Sequence, residues 1–292
     1  MISIPIPVFN ADKFIKHSVN SIINQSFRNI ELIICDDSST DSSFDILNNF
    51  KDKRIRLIKN DKNIGYLRTI NKLLPLCKGQ YIAFQDADDI SHPLRLEKQI
   101  EALNNNSWDL VGTNYSIINH RNKTIIHNEN VDDDESFIRQ SLIYKNLFQK
   151  PSLLFRKEIY ESIGGYREEF LKFKNISEDY DWLLRINEAG FRMSNINFSI
   201  PLYYYRSVPS AMTKSNYNIE QLFGPKVSQH LACERRRGNK DAIERRDFTG
   251  ILNLIEAWKK PYLNDPAMFF RERAASLMYS GLKMEAIKYA LN

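Results

Sequence analysis

Three cysteines in 292 residues, with no CxxC spacing, give no basis for a disulfide framework. Cys35, Cys77 and Cys233 read as reduced thiols of a cytosolic protein. The five histidines, His17, His92, His120, His127 and His230, are scattered, and none is spaced from another His or Cys as zinc ligands are. No run approaches the roughly 18 apolar residues of a membrane span. The opening stretch Met1 to Phe9 is apolar but has no basic start and no small-residue cleavage site, so it reads as a first strand, not a signal peptide. P-loop, G-x-G-x-x-G and G-x-S-x-G patterns are all missing. What is present is an ordinary soluble composition, 42% hydrophobic and 26% charged. It suits one large domain, or one domain with an appendage.

The net charge of +5 is mild. Much of the excess sits late, in Arg235-Arg236-Arg237, Lys240 and Arg245-Arg246. A solvated helix face explains such a cluster, and so does contact with an anionic membrane surface or an anionic acceptor. Nucleic acid is not expected, because no aromatics are interleaved with the basic residues.

The first hundred residues alternate between two periodicities. Apolar strand-like runs fall at Ile2 to Phe9, Glu31 to Cys35, Ile55 to Ile58 and Tyr81 to Phe84. Between them apolar residues recur at helical spacing: Phe14, Ile15, Val19, Ile22 and Ile23 after a capping Asn10; Phe44, Ile46, Leu47 and Phe50; Leu67, Ile70, Leu73 and Leu74. This order predicts right-handed βαβ crossovers and an α/β fold with a mainly parallel sheet. A helix after Pro93 and a strand at Leu110 to Thr113 continue it. Beyond Tyr115 the pattern weakens. A hairpin around Arg121-Asn122, a helix from Asp132 to Glu135 onward, a strand at Ser152 to Phe155 and a helix from Glu178 to Ala189 are expected. After Ser215 the chain reads as helical, with Pro261 and Pro266 as breaks.

Ligands of open α/β sheets bind beyond the carboxyl ends of the strands. Asn10-Ala11-Asp12, Asp36-Asp37-Ser38-Ser39 and Asp86-Ala87-Asp88-Asp89 all fall there. Ionised carboxylates at the end of a buried strand resist packing. They suit a divalent cation and the phosphates it carries, since Mg²⁺ takes one or two carboxylates and fills its other positions with water and phosphate. A DxD triplet alone is equally a plain surface loop.

Pro7-Val8-Phe9-Asn10, Asp36-Asp37-Ser38-Ser39-Thr40-Asp41, Asn63-Ile64-Gly65, Asp86-Ala87-Asp88-Asp89 and Glu178-Asp179-Tyr180-Asp181 follow one another in this order. In this the chain, over roughly residues 1 to 210, resembles the family 2 glycosyltransferases, inverting enzymes with the GT-A fold. Phe9 stands where the family has Tyr, and Ser38 where it has Gly, a residue that tolerates positive φ as Ser does not.

The resemblance implies a nucleotide-sugar-binding half at 1–113, an acceptor-binding half at 114–214 and a helical region at 215–292. It implies a nucleotide-sugar donor, a UDP-sugar first, and a glycan or lipid-linked acceptor of bacterial surface polysaccharide. By carry-over Pro7, Phe9 and Asn10 border the nucleoside and Asp37 accepts the base N–H. Asn63 and Gly65 form the next turn. Arg68 after it either reaches the diphosphate or is a solvated first-turn residue, the phosphate role being preferred. Asp88 becomes the direct ligand of Mg²⁺ or Mn²⁺. Asp86 binds ribose or the metal through water, with Ala87 between them, and Asp89 is left to cap the turn toward Pro93. Asp179 becomes the general base, with Glu178 orienting acceptor or base. Helix capping remains the plain alternative for that acidic pair. Gly165, Tyr166, Asp181 and Trp182 fall near the acceptor, where Trp182 either packs on a sugar or belongs to the core. Arg206 either approaches the phosphates or forms a strand-end ion pair. The expected setting is the cytoplasm, peripheral at the inner face of the plasma membrane, with a homo-oligomer left open. The alternatives are a sugar nucleotidyltransferase, whose Gly-rich basic phosphate loop is missing after the first strand, and a non-catalytic nucleotide-sugar or glycan-binding scaffold.

Overall fold

A computed structural model describes residues 1–119, 124–173, 177–208, 219–279 and 283–290. Two sheets organise the chain. The larger has seven strands in the order β10-β6-β9-β4-β1-β2-β3. These are β1 (Ile2–Val8), β2 (Ile30–Asp36), β3 (Ile55–Lys59), β4 (Tyr81–Ala83), β6 (Leu110–Thr113), β9 (Leu154–Arg156) and β10 (Met193–Ile196). All neighbours pair in parallel except β9, which runs antiparallel to both β4 and β6. The smaller sheet has the order β5-β11-β7-β8, built from β5 (Ile90–Ser91), β7 (Tyr115–Asn119), β8 (Ile125–Glu129) and β11 (Tyr203–Ser207).

The parallel strands read as continuous apolar runs because helices cover both faces; every residue of β1 is buried. Helices α1 (Ile15–Ile23), α2 (Ser43–Asn48), α3 (Tyr66–Leu73) and α4 (Arg95–Asn106) connect them. Asn10 does not cap α1 as its sequence position suggested. It takes φ +49, and its Oδ1 accepts from the Thr40 N–H at 2.8 Å. Then come α5 (Glu135–Ser141), α6 (Lys157–Ile163) and α7 (Glu178–Glu188). Asp134 caps α5 through the Phe137 N–H, and Gly190 at φ +86 ends α7 in the left-handed conformation.

The C-terminal region is helical: α8 (Ile219–Leu222), α9 (Gly224–Arg236), α10 (Phe248–Asn264), α11 (Pro266–Tyr279) and α12 (Lys283–Ala290). Pro266 opens α11, where a missing N–H costs nothing. Pro261 does not break the chain: it lies inside α10. The turn expected at Arg121-Asn122 and the boundary expected at 214/215 fall outside the described residues. The connection toward α7 contains a 3₁₀ helix over Glu168–Phe173. Its Phe170 and Phe173 are buried in one cluster with Phe223, Val227, Leu231, Ile251 and Ile255. The helical region therefore shares a core with the segment that leads into α7.

Candidate active site

Strands β3, β2, β1 and β4 run the same way, so their carboxyl ends meet on one sheet edge. The loops there are clasped to one another. The Asn10 N–H donates to Ser39 Oγ at 3.0 Å, Ala11 N–H to Ser43 Oγ at 2.7 Å and Asp12 N–H to Asp41 Oδ2 at 3.0 Å. Phe9 at the tip of β1 stays 48% exposed while Pro7 is buried. An exposed ring beside polar loops offers a flat face to a base.

Asp36 and Asp37 divide. Asp36 is buried, and its Oδ2 accepts from the Ser39 N–H at 3.1 Å, a local turn bond. Asp37, also buried, accepts from Asn60 Nδ2 at 2.7 Å and from the N–H groups of Ile64 and Gly65 at 3.0 and 2.8 Å. It thus ties the end of β2 to the turn that opens α3, and its Oδ2 retains acceptor capacity after the Gly65 bond. Gly65 sits at φ +86 with open space where a Cβ would stand. Conformation, not crowding, calls for glycine there. Asn63 is exposed. Arg68 pairs with Glu168 at 3.1 Å, both side chains about half exposed.

Ser38 adopts φ +60 despite its side chain. The left-handed conformation costs an L-residue about 1–2 kcal/mol, against roughly 0.5–1 kcal/mol of extra backbone entropy lost by glycine. Ser38→Gly is therefore expected to stabilise the protein by about 0.5–1 kcal/mol, read as a raised urea midpoint at unchanged slope. A lowered midpoint would show that the Ser38 side chain contributes more than its strain.

At the end of β4, Asp86, Ala87 and Asp88 are partly exposed. Asp89 is not a cap toward Pro93. It is buried, its Oδ2 accepting from Tyr203 Oη at 2.7 Å and its Oδ1 from the Arg206 N–H at 2.7 Å. Arg206 in turn donates from Nε to the Asp88 carbonyl at 2.6 Å. Strand β11 thus grips the DxD loop from outside, and Arg206 holds protein backbone. From within, buried Arg95 donates to Gln85 Oε1 and to the carbonyls of Phe84, Pro151 and Leu153, stitching the end of β4 to the start of β9.

That start carries Lys150, which sequence reasoning missed. Because β9 is antiparallel, its amino end lies where its neighbours have their carboxyl ends. Lys150 Nζ donates to Tyr66 Oη at 2.8 Å, sits 4.0 Å from the Tyr66 ring centre and 3.8 Å from Asp86 Oδ1. Burial works against the ammonium, but Asp86, Tyr66, Tyr166 and Asp179 outweigh it and raise its pKa. The only sequence signal was a lysine just before a buried apolar strand.

Glu178 and Asp179 open α7, half-buried. Burial, with the Asp179 charge, pushes Glu178 up to about 7, while Lys150 pulls it back. Asp179 is also raised by burial, with Lys150 opposing, and its Oδ1 accepts from the Tyr180 N–H at 2.8 Å. Lys150 is therefore the common neighbour of the DxD segment and the late acidic pair.

Of the four residues expected near an acceptor, Asp181 and Trp182 turn into the interior, while Tyr166 lies beside Lys150 and the Glu178-Asp179 pair. Asp181 is fully buried among Arg167, Arg185 at 3.1 Å and Arg235 at 3.3 Å. Trp182 is 1% exposed, packs on Phe84, Phe155 and Tyr166, and donates to the Gly164 carbonyl at 3.0 Å. Helical spacing turns both inward, so neither presents a surface to a sugar. Gly165 is required by close approach: a Cβ there would stand 2.6 Å from Asn71 Oδ1. Asn71 clamps Tyr166 through both its N–H and its carbonyl. The Tyr166 ring is buried, and its hydroxyl, which has no hydrogen-bond partner among the described residues, lies near the phenol of Tyr66, the ammonium of Lys150 and the acids Asp179 and Glu178.

Among the described residues, no three His, Cys, Asp or Glu side chains form a ready cation cage. Two carboxylates, Asp86 and Asp88, still match a cation that takes its remaining ligands from phosphate and water. Burial and the Asp86 charge raise Asp88 to about 6, against the pull of Arg206 and Lys150. No described helix is long and apolar enough to cross a membrane.

The chain matches the family model "Glycosyl transferase family 2" over residues 3–166. It is 31% identical over 251 residues to "Putative glycosyltransferase EpsE" of Bacillus subtilis, covering 80% of this chain and 82% of that one. It is 29% identical over 240 residues to "UDP-Glc:alpha-D-GlcNAc-diphosphoundecaprenol beta-1,3-glucosyltransferase WfaP" of Escherichia coli, covering 80% and 90%. The fold resembles that of S. aureus TarS 1-349 in complex with UDP-GlcNAc, with TM-score 0.64 and 18% identity over 79% of this chain and 66% of that one. It also resembles the mannosyltransferase PcManGT of Pyrobaculum calidifontis in complex with GDP-Man and Mn²⁺, with TM-score 0.59 and 14% identity over 99% and 86%. A mainly parallel sheet with acidic loops at its carboxyl edge, a GT-A fold and this family match together mean that the chain belongs to glycosyltransferase family 2.

Proposed function

We propose that the protein is an inverting glycosyltransferase moving a sugar from a UDP-sugar to a hydroxyl of a glycan or lipid-linked glycan in bacterial surface polysaccharide assembly. The carrying observation is Lys150, which interacts with the DxD segment on one side and the Glu178-Asp179 pair on the other. Two acid groups with one cation between them suit the two ends of a displacement. The name of WfaP and the UDP-GlcNAc of TarS support UDP; the GDP-Man of PcManGT keeps the nucleotide open to test.

In this reading Phe9 and Asn10, with Pro7 beneath, border the nucleoside, and the remaining acceptor capacity of Asp37 Oδ2 meets the base N–H. Asn63 and Gly65 shape the turn beside it. Asp88, with Asp86, holds Mg²⁺ or Mn²⁺, which when bound neutralises charge on the departing nucleoside diphosphate. Asp179 takes the proton from the acceptor hydroxyl as that oxygen bonds to the anomeric carbon. The bond from that carbon to the diphosphate oxygen breaks on the opposite face, so one displacement inverts the centre. Glu178, pushed up to about 7 by burial and the Asp179 charge, orients the acceptor or the base. Lys150 keeps Asp179 ionised and orients Asp86.

The test is a screen of nucleotide sugars for protection against thermal unfolding, followed by transfer and anomeric analysis of the product. Protection by UDP-sugars with an inverted product is expected. Pyrophosphate release from a nucleoside triphosphate would replace this reading with nucleotidyl transfer. The pH profile tests the Lys150 role. Asp179 is raised in the fold and must lose its proton to work, so the rate should fall as pH drops through its raised pKa. Lys150 opposes that rise, so Lys150→Met should move the acidic limb to higher pH. A Lys150→Met limb that stays in place, with only the rate reduced, would remove Lys150 from the control of Asp179.

A further inference from the structure

We propose that the protein has a second anion site, remote from the sheet edge, that binds a phosphate group between Arg139, Arg235 and Arg236. A cavity of about 380 Å³ is lined by Arg139, Asn187, Glu188, Arg235 and Arg236. It lies where α5, the carboxyl end of α7 and the last turn of α9 meet. Glu188 Oε2 pairs with Arg235 Nε at 2.6 Å, while its buried Oε1 stands 3.7 Å from Arg236 Nε and accepts no hydrogen bond among the described residues. Arg139 is exposed and makes no ion pair among the described residues. Its carbonyl accepts from Asn187 Nδ2 at 3.1 Å, which fixes the cavity wall. In the adjoining network Arg167, Arg185, Arg235 and Arg236 meet Asp181, Glu188 and Asp241, four positive charges against three negative, and Arg139, near Glu135, lines the same cavity.

Arg235 is the organised donor of the site. Glu188 holds its Nε at 2.6 Å and Asp241 its Nη1 at 2.6 Å. Its Nη2 is buried and has no hydrogen-bond partner among the described residues. An orphaned donor on a fixed guanidinium is costly unless an acceptor reaches it. Guanidinium forks match tetrahedral phosphate oxygens, and a dianion answers the excess charge better than a carboxylate. The carboxyl ends of helices carry the wrong sign for an anion, so the arginines must supply the attraction. Ten residues of α7 separate Glu188 from Glu178, about 15 Å at 1.5 Å per residue, so this proposal stands apart from the donor site.

The phosphate is either a free soluble group or a lipid headgroup. The experiment titrates inorganic phosphate into the full chain in EDTA, and floats the chain on phosphatidylcholine vesicles with and without phosphatidic acid. Wild type, Asp88→Asn and the double variant Arg139→Ala/Arg236→Ala are compared, with thermal unfolding confirming that each is folded. Wild type and Asp88→Asn should bind alike, and the double variant at least tenfold more weakly; Arg139→Lys/Arg236→Lys should recover part of the loss. Phosphate uptake without flotation identifies a soluble phosphate. Flotation that needs phosphatidic acid and is competed by phosphate identifies a headgroup. No binding in either arm, or binding equal in wild type and the double variant, overturns the site and leaves these arginines as partners of the helix ends.

Discussion

Asp179→Asn is expected to lower the transfer rate by about 10²–10⁴-fold, the usual worth of general-base assistance, with the fold left intact. Asn keeps the shape and the Oδ1 acceptor that Asp179 offers the Tyr180 N–H; it cannot take a proton. The substitution also removes a charge that pushes Glu178 upward. The variant should therefore unfold at the same temperature as the parent or slightly above it. Initial rates and thermal melts on one preparation separate the two effects. Full transfer by a folded Asp179→Asn protein would take the base away from this helix.

The second large effect lies two residues on and is of a different kind. Asp181→Ala should destabilise the protein by about 3–5 kcal/mol, the cost of stripping one partner from a buried ion network. Arg167, Arg185 and Arg235 all lean on Asp181, and only Asp241 would remain between Arg167 and Arg235. At this chain length that corresponds to a fall in Tm of roughly 10 °C. An acceptor contact would behave otherwise, raising KM for the acceptor with Tm unchanged. A melt and a KM measured below the transition decide between them, and an unchanged Tm would return Asp181 to the acceptor.

This pair of aspartates shows what the sequence carried and what it could not. Strands β1 to β4 were legible because strands covered on both faces read as apolar runs, with amphipathic helices between them. The convergence of Asn10, Asp37 and Asp86 at one edge followed from that order alone. Lys150 was not legible, since its position depends on β9 running against its neighbours, and periodicity does not encode strand direction. Strand β10 hid because Ser194 and Asn195 are polar yet buried, Ser194 Oγ donating to the Asp133 carbonyl and Asn195 Nδ2 to those of Asp132 and Leu147. Asp181 looked like one more acid in a motif; its partners Arg167 and Arg235, and the Asp241 that those two arginines share with it, are distant in sequence and meet only in the fold.

The helices beyond residue 219 are riveted to the transferase half by Arg235 and Asp241, which complete the shell around Arg167 and Asp181. Chimeras are the practical casualty. Grafting the tail of a relative onto this chain would discard half of a charge lattice along with an apolar interface. A swap that carries Arg167 and the whole of α7 together with the tail keeps the lattice whole, and marks where recombination between members of this family can cut.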